Sequence, residues 1–146
     1  MSNAMIIIIG GALPAFFWGV TAIFQKQSAV SGFRPLQYLA VFGVVIALAG
    51  LAGVLLTRDA TAWSRPGAGY AVLAGVTFAL GSGLISFALW RYGAPISKLA
   101  PILACNVLVT VAIGALFLGE AAKLNMTQLG IGTLLILGGA ILVSNA

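Results

Sequence analysis

Apolar positions follow one another in long runs, and the few charged positions separate those runs. Uncharged stretches of 21 to 25 residues occupy positions 1–25, 35–57, 66–90, 99–119 and 124–146. An α-helix rises about 1.5 Å per residue, so roughly 20 residues cross a hydrocarbon core about 30 Å thick. Apolar and polar residues do not alternate in these stretches, which argues against the strands of a membrane barrel. The pattern therefore predicts an all-α, polytopic membrane protein with five transmembrane helices.

Prolines mark where three of these helices begin. They are Pro35, Pro66 and Pro95, each in or just before a first turn. Backbone N–H groups in a first turn have no partner within the helix, so the absence of one from proline costs nothing there. The first four residues precede a second methionine and are interpreted as a remnant of an expression vector. We place the helices at about 5–26, 35–57, 68–91, 95–119 and 125–144, within one domain covering 5–144.

Composition excludes several classes of protein. Hydrophobic residues make up 62% of the chain and charged residues 6%, which leaves too little polar surface for a soluble domain. With one cysteine, Cys105, and no histidine, neither an internal disulfide nor a metal site is expected. The acidic residues are Asp59 and Glu120, a poor set for acid–base catalysis, so we expect neither an enzyme nor a cofactor. The net charge of +5 is explained by anionic lipid headgroups and not by nucleic acid. We therefore expect a multi-pass protein of the inner (plasma) membrane.

Basic residues are shared almost evenly between the two predicted membrane surfaces. Four of them, Lys26, Arg34, Arg91 and Lys98, fall on one side, and three, Arg58, Arg65 and Lys123, fall on the other. An excess of Lys and Arg on one side normally sets the membrane orientation of a chain. Here the excess is a single residue, so the sequence specifies the orientation only weakly. One hypothesis is that it inserts both ways and pairs with an inverted copy of itself. The alternative is a single orientation, set by a chaperone, a partner or a different helix count.

Several short motifs lie between Met5 and Val143: Trp18-Gly19, Pro35, FALWRYGAPISKLAP, Leu118-Gly119-Glu120, Gln128-Leu129-Gly130 and Leu137-Gly138-Gly139. Together they resemble one EamA-type repeat of the drug/metabolite transporter superfamily. The resemblance implies small-molecule transport by alternating access, usually with ten helices built from two such repeats. This chain carries one repeat, half of a ten-helix inverted-repeat transporter, which an antiparallel homodimer would complete. The alternatives are a non-transporting or heteromeric subunit that needs a paralogous chain, and a small dual-topology channel.

The chain departs from its relatives at two places. Related proteins often carry an arginine in the second helix where Phe42-Gly43 stands here. The similar small multidrug resistance transporters use a glutamate in the first helix, where this chain has Phe17 and Trp18. Proton-for-cation exchange needs an ionisable group inside the membrane, so that mechanism is not expected. By resemblance to that branch, Gly132 and Gly139 would form a dimer contact, whereas their spacing alone equally allows packing inside the bundle.

Polar and aromatic side chains inside the runs are candidates for a substrate pathway, because hydrocarbon penalises polar groups and they turn inward. The candidates are Trp18, Thr21, Gln25, Tyr38, Ser86, Trp90, Asn106 and Thr110. The alternative is hydrogen bonding between helices or within one helix. A pocket of such residues, without acid or histidine, suits a neutral, zwitterionic or amphipathic metabolite.

Two further features have open interpretations. Pro14 and Pro101 lie inside helices, and their kinks serve either packing or a joint that faces a polar cavity. Glu120 ends a long apolar run, close to Lys123. It is interpreted as a structural partner of Lys123 or of an arginine on the same membrane face, or alternatively as part of a gate.

Overall fold

Helices account for nearly all of the computed structural model, which describes residues 3–57, 64–117 and 125–145. They are α1, with segments Asn3–Ile7, Ile8–Ala12 and Leu13–Val30; α2, Pro35–Thr57; α3, Arg65–Tyr92; α4, with segments Ile96–Ala104 and Asn106–Phe117; and α5, Met126–Ser144. No strand occurs in this described part of the chain. Five of its helical spans are long and apolar enough to cross a membrane. The prediction of an all-α, five-span membrane fold is confirmed.

Two helix ends differ from the predicted positions. α3 begins at Arg65, three residues before the predicted position 68, because the Ser64 Oγ accepts a hydrogen bond from the Gly67 N–H at 3.3 Å. α1 continues past Lys26 to Val30, since one lysine does not interrupt backbone hydrogen bonding. It ends before Gly32, whose φ of 83° is left-handed.

A π-helical turn precedes Pro14 within α1. The turn covers Ile8–Ala12, and the Leu13 N–H donates to the Ile8 carbonyl. Pro14 then stands in the first turn of the α-helical segment Leu13–Val30. The missing N–H of a proline is tolerated in such a first turn, so the wider turn lets α1 continue through the proline.

In α4 the break falls after Pro101 and not at it. Pro101 lies inside the segment Ile96–Ala104, and Cys105 forms a turn before the next segment begins. The Cys105 N–H donates to the Ile102 carbonyl at 3.0 Å, and the Leu108 N–H donates to the Cys105 carbonyl at 3.0 Å. These bonds span three residues, so the helix tightens locally at mid-span.

The chain divides into two compact units, Met1–Gly93 and Ala94–Ala146. In the first unit α3 packs against both α1 and α2, and in the second unit the first segment of α4 packs against α5. Buried hydrophobic and polar side chains in the described residues are few: Gln25, Ser86, Leu89 and Ala140. Apolar side chains gain little by leaving lipid, which is consistent with so much exposed helix surface.

Aromatic stacking joins α2 to α3 in the first unit. The Phe42 ring stacks on the Tyr38 ring at 5.3 Å and on the Phe78 ring at 6.0 Å between centroids. Further along the same contact, a Cβ at Gly83 would lie 3.1 Å from the Leu39 Cδ1. Phe42 is therefore a packing residue in this chain.

Candidate functional site

Two polar side chains meet between α1 and α3. The Gln25 Nε2 donates to the Ser86 Oγ at 2.8 Å and to the Ser82 carbonyl at 3.1 Å. Gln25 is 7% exposed and Ser86 is 4% exposed. Buried amides are tolerated when their protons find acceptors, and the Gln25 amide finds two. The structure thus brings together two predicted pathway residues as an interhelical hydrogen bond.

A second bond ties the same two helices one residue further along. The Lys26 Nζ donates to the Gly93 carbonyl at 3.0 Å. Gly93 is the C-cap of α3, and its φ of 62° is left-handed. A cation at a helix C-terminus interacts favourably with the helix dipole and its free carbonyls. Two adjacent residues of α1 therefore donate hydrogen bonds to α3 and its C-cap.

Two other predicted pathway residues are exposed near the middle of their spans. Trp18 is 68% exposed and lies near the centre of the span Ala4–Val30 in the first unit. Asn106 is exposed and lies near the centre of the span Ile96–Ala115 in the second unit. Both sit at the depth where hydrocarbon is least tolerant of polar groups.

The remaining pathway candidates have contacts of different kinds. The Thr21 Oγ1 donates to the Phe17 carbonyl at 2.9 Å, and the Thr110 Oγ1 donates to the Asn106 carbonyl at 3.2 Å. These hydroxyls are satisfied within their own helices, one of the two alternatives open at the sequence level. Tyr38 takes part in the aromatic stack, and Trp90 lines a groove between α2 and α3.

We call the groove between α2 and α3 the α2–α3 groove. Its volume is ≈ 630 Å³. Of its lining residues, Arg34 alone is charged, and it immediately precedes α2. Periodicity along single helices did not predict the groove, because it depends on how two helices pack. Its lining includes Arg34, Leu36, Leu39, Ala79, Leu84 and Trp90.

The other predicted site residues are placed as follows. Glu120 and Lys123 lie outside the described residues. In α5, a Cβ added at Gly132 or at Gly139 would meet no atom within 4 Å. Packing among the described residues of the second unit therefore does not require glycine at either position. In the described residues, no three His, Cys, Asp or Glu side chains cluster in a way that would hold a metal ion.

Apolar spans with uncharged polar side chains at mid-depth define a multi-pass membrane protein. The model of the EamA-like transporter family matches residues 5–145, and the chain therefore belongs to that family. The resemblance drawn from the sequence motifs is confirmed. Membership makes the chain a membrane transporter of the drug/metabolite type, a class whose task is not enzymatic. No curated protein and no solved structure shows a significant match to it.

Proposed function

We propose that this chain is a transporter subunit that moves a small neutral, zwitterionic or amphipathic metabolite across the inner (plasma) membrane. It works by alternating access as an antiparallel homodimer. The observation that carries the proposal is the exposure of Trp18 and Asn106 near mid-span. An amide facing hydrocarbon is unfavourable, and tryptophan usually sits at the membrane interface. For each of these side chains, a polar surface of a second copy provides a suitable environment.

The depth of these residues matches the depth of a substrate site. Transporters built from inverted repeats bind substrate near the bilayer midplane, at the interface between repeats. A helical irregularity accompanies each internal proline, namely the π-helical turn Ile8–Ala12 before Pro14 and the turn at Cys105 after Pro101, and the second of these lies near mid-span. We assign them to the wall that moves between inward-open and outward-open states.

The substrate class follows from which charges the spans lack. The acidic residues are Asp59 and Glu120, and both fall in links between the predicted spans. A bare cation would need a carboxylate within the membrane, whereas indole and amide groups suit uncharged or zwitterionic solutes.

Glu120 and Lys123 are proposed as an ion pair in the link between α4 and α5. Glu120→Gln should lower stability without changing flux per folded molecule; a changed flux at unaltered stability would assign the pair to a gate.

Support for the homodimer comes from the single repeat and from the balance of basic residues. A match over 5–145 covers one five-span unit, and four against three basic residues allow both orientations. Gly132 and Gly139 lie seven residues apart on α5, with open space where a side chain would stand. Small residues on one helix face allow close approach by a neighbouring helix.

Transport by the purified chain alone tests the proposal. Metabolites that raise the melting temperature of the detergent-solubilised protein would be followed into liposomes carrying this chain only. We expect saturable uptake, reduced at least about tenfold by Trp18→Ala and by Asn106→Ala, the loss of roughly one substrate contact. Phe17→Ala, which removes a neighbouring exposed ring, and Asn125→Ala, which removes the α5 cap, are matched controls that should retain uptake.

Other outcomes would identify the alternatives. An ion current that does not saturate would indicate a channel. Uptake that appears only after a paralogous chain is added would indicate a heteromeric subunit. Either result would overturn the proposed homodimeric carrier.

A further inference from the structure

The α2–α3 groove has the dimensions of a lipid chain in one leaflet. Its lining along α3 runs from Ala79 to Trp90. At about 1.5 Å per residue this covers roughly 16 Å, about half of a hydrocarbon core of about 30 Å. Trp90 lies near the end of α3, which is Tyr92, and Arg34 immediately precedes α2. The groove therefore extends from the membrane surface to about mid-depth.

Small residues on α3 make the groove concave. Ala79 and Gly83 lie four residues apart on one helix face, and the larger Leu80 and Leu84 lie on the adjacent face. A side chain at Gly83 would contact the Leu39 Cδ1 at 3.1 Å, so α2 approaches α3 closely at this level. Leu80 and Leu84 are exposed and form an aliphatic wall along one side of the cleft. The lower part of the groove therefore offers only apolar contacts.

The end of the groove at the membrane surface is cationic. Arg34 lines it, and Lys26 and Arg91 lie at the same end of the first unit. Both acidic residues of the chain follow even-numbered helices and so fall on the opposite membrane surface by sequence order. An indole such as that of Trp90 also favours the headgroup level. Charge and polarity thus change along the groove as they do along an anionic phospholipid.

We propose that the α2–α3 groove is a binding site for an anionic phospholipid of the surrounding membrane. One acyl chain lies along Leu36, Leu80 and Leu84, and the phosphate headgroup pairs with Arg34. Basic pockets between transmembrane helices bind anionic headgroups by the same chemistry. The transport proposal rests on Trp18 and Asn106, neither of which lines the groove, whereas Trp90, a pathway candidate from the sequence, is assigned here to the lipid site.

Quenching of Trp90 by brominated lipids tests the site. Trp18→Phe with Trp63→Phe leaves Trp90 as the sole tryptophan. This variant is reconstituted in phosphatidylcholine vesicles containing a small fixed fraction of chain-brominated phosphatidylglycerol or, in parallel, of chain-brominated phosphatidylcholine. We expect phosphatidylglycerol to associate about fivefold more strongly, the effect of one basic residue at an anionic surface.

Substitutions then distinguish specific binding in the groove from a general attraction of anionic lipid to the basic surface. Arg34→Gln should abolish the preference for phosphatidylglycerol, and Arg34→Lys should retain it. Arg91→Gln removes a charge at the same membrane surface that does not line the groove, so it should also retain the preference. Ala79→Leu should weaken quenching by both lipids by filling the cleft, whereas Ala71→Leu on the same helix should not.

Three results would overturn the proposal. Equal quenching by the two lipids in the Trp90 protein would show that headgroup charge is not recognised, whatever the variants do. An equal loss with Arg34→Gln and Arg91→Gln would show general attraction to a basic surface. Absence of quenching by either lipid would show that another protein segment, such as a second copy, covers the groove.

Discussion

The Gln25 Nε2 lies 2.8 Å from the Ser86 Oγ, and this bond joins two buried side chains of α1 and α3. Interhelical hydrogen bonds in membranes average about 0.6 kcal/mol and reach about 1.7 kcal/mol. Because both groups are buried here, we expect Ser86→Ala to lower the free energy of unfolding by an amount in the upper half of that range. Unfolding of the detergent-solubilised protein by a denaturing surfactant measures the loss.

A double-mutant cycle separates the bond from other effects of truncation. Gln25→Ala, Ser86→Ala and the double variant should show a coupling energy of about 0.5–1.5 kcal/mol. The matched control is Ser31→Ala, whose exposed hydroxyl donates to the Gln27 carbonyl of its own helix at 2.9 Å. That control should change stability little. Strictly additive effects of Gln25→Ala and Ser86→Ala would show that the contact contributes nothing.

Gly93 supplies a conformation that other residues adopt at a cost. Its φ of 62° is left-handed, and a Cβ there would meet no atom within 4 Å, so conformational strain alone opposes substitution. We expect Gly93→Ala to destabilise the protein by about 1–2 kcal/mol. Gly75→Ala is the control, because Gly75 is helical and has open space around it. It should be neutral or slightly stabilising, and equal losses for the two variants would contradict this explanation.

Membrane orientation should respond to single charges, because the distribution of basic residues is nearly balanced. The unmodified chain has four basic residues on one predicted surface and three on the other. Arg65→Gln leaves four and two, whereas Arg91→Gln combined with Lys98→Gln leaves two and three. These changes should shift the ratio of orientations in opposite directions. C-terminal reporters that are active only inside or only outside the cell measure that ratio. If the unmodified chain gives a signal from one side alone, the inverted homodimer fails.

The face of α5 that carries Gly132 and Gly139 provides a test of the dimer. Gly139→Leu should reduce the crosslinked dimer strongly, because a larger side chain prevents close helix approach. Folding of the single chain should be unaffected, as a Cβ at this position meets nothing within 4 Å. Gly138→Leu, on the adjacent and also exposed position, is the control. Undiminished crosslinking in Gly139→Leu would place the dimer contact elsewhere.

The sequence named candidate residues for the site, but it did not predict which of them contact each other. Thr21 and Gln25 are four residues apart and so share one face of α1, yet Thr21 bonds within its helix while Gln25 reaches α3. Spacing reports the direction of a side chain along one helix. It does not report which neighbouring helix stands opposite or how close it comes.

The sequence by itself determined the solvent, the number of spans, the fold class and the family. Those properties depend on the apolar content of about 20 consecutive residues and on short motifs, both of which are local. Only the tertiary structure decided that Gln25 bonds Ser86, 61 residues away, and that α2 and α3 leave a groove beside Arg34. Contacts between helices in lipid depend on close packing and paired polar groups, and no periodicity within one helix specifies the partner.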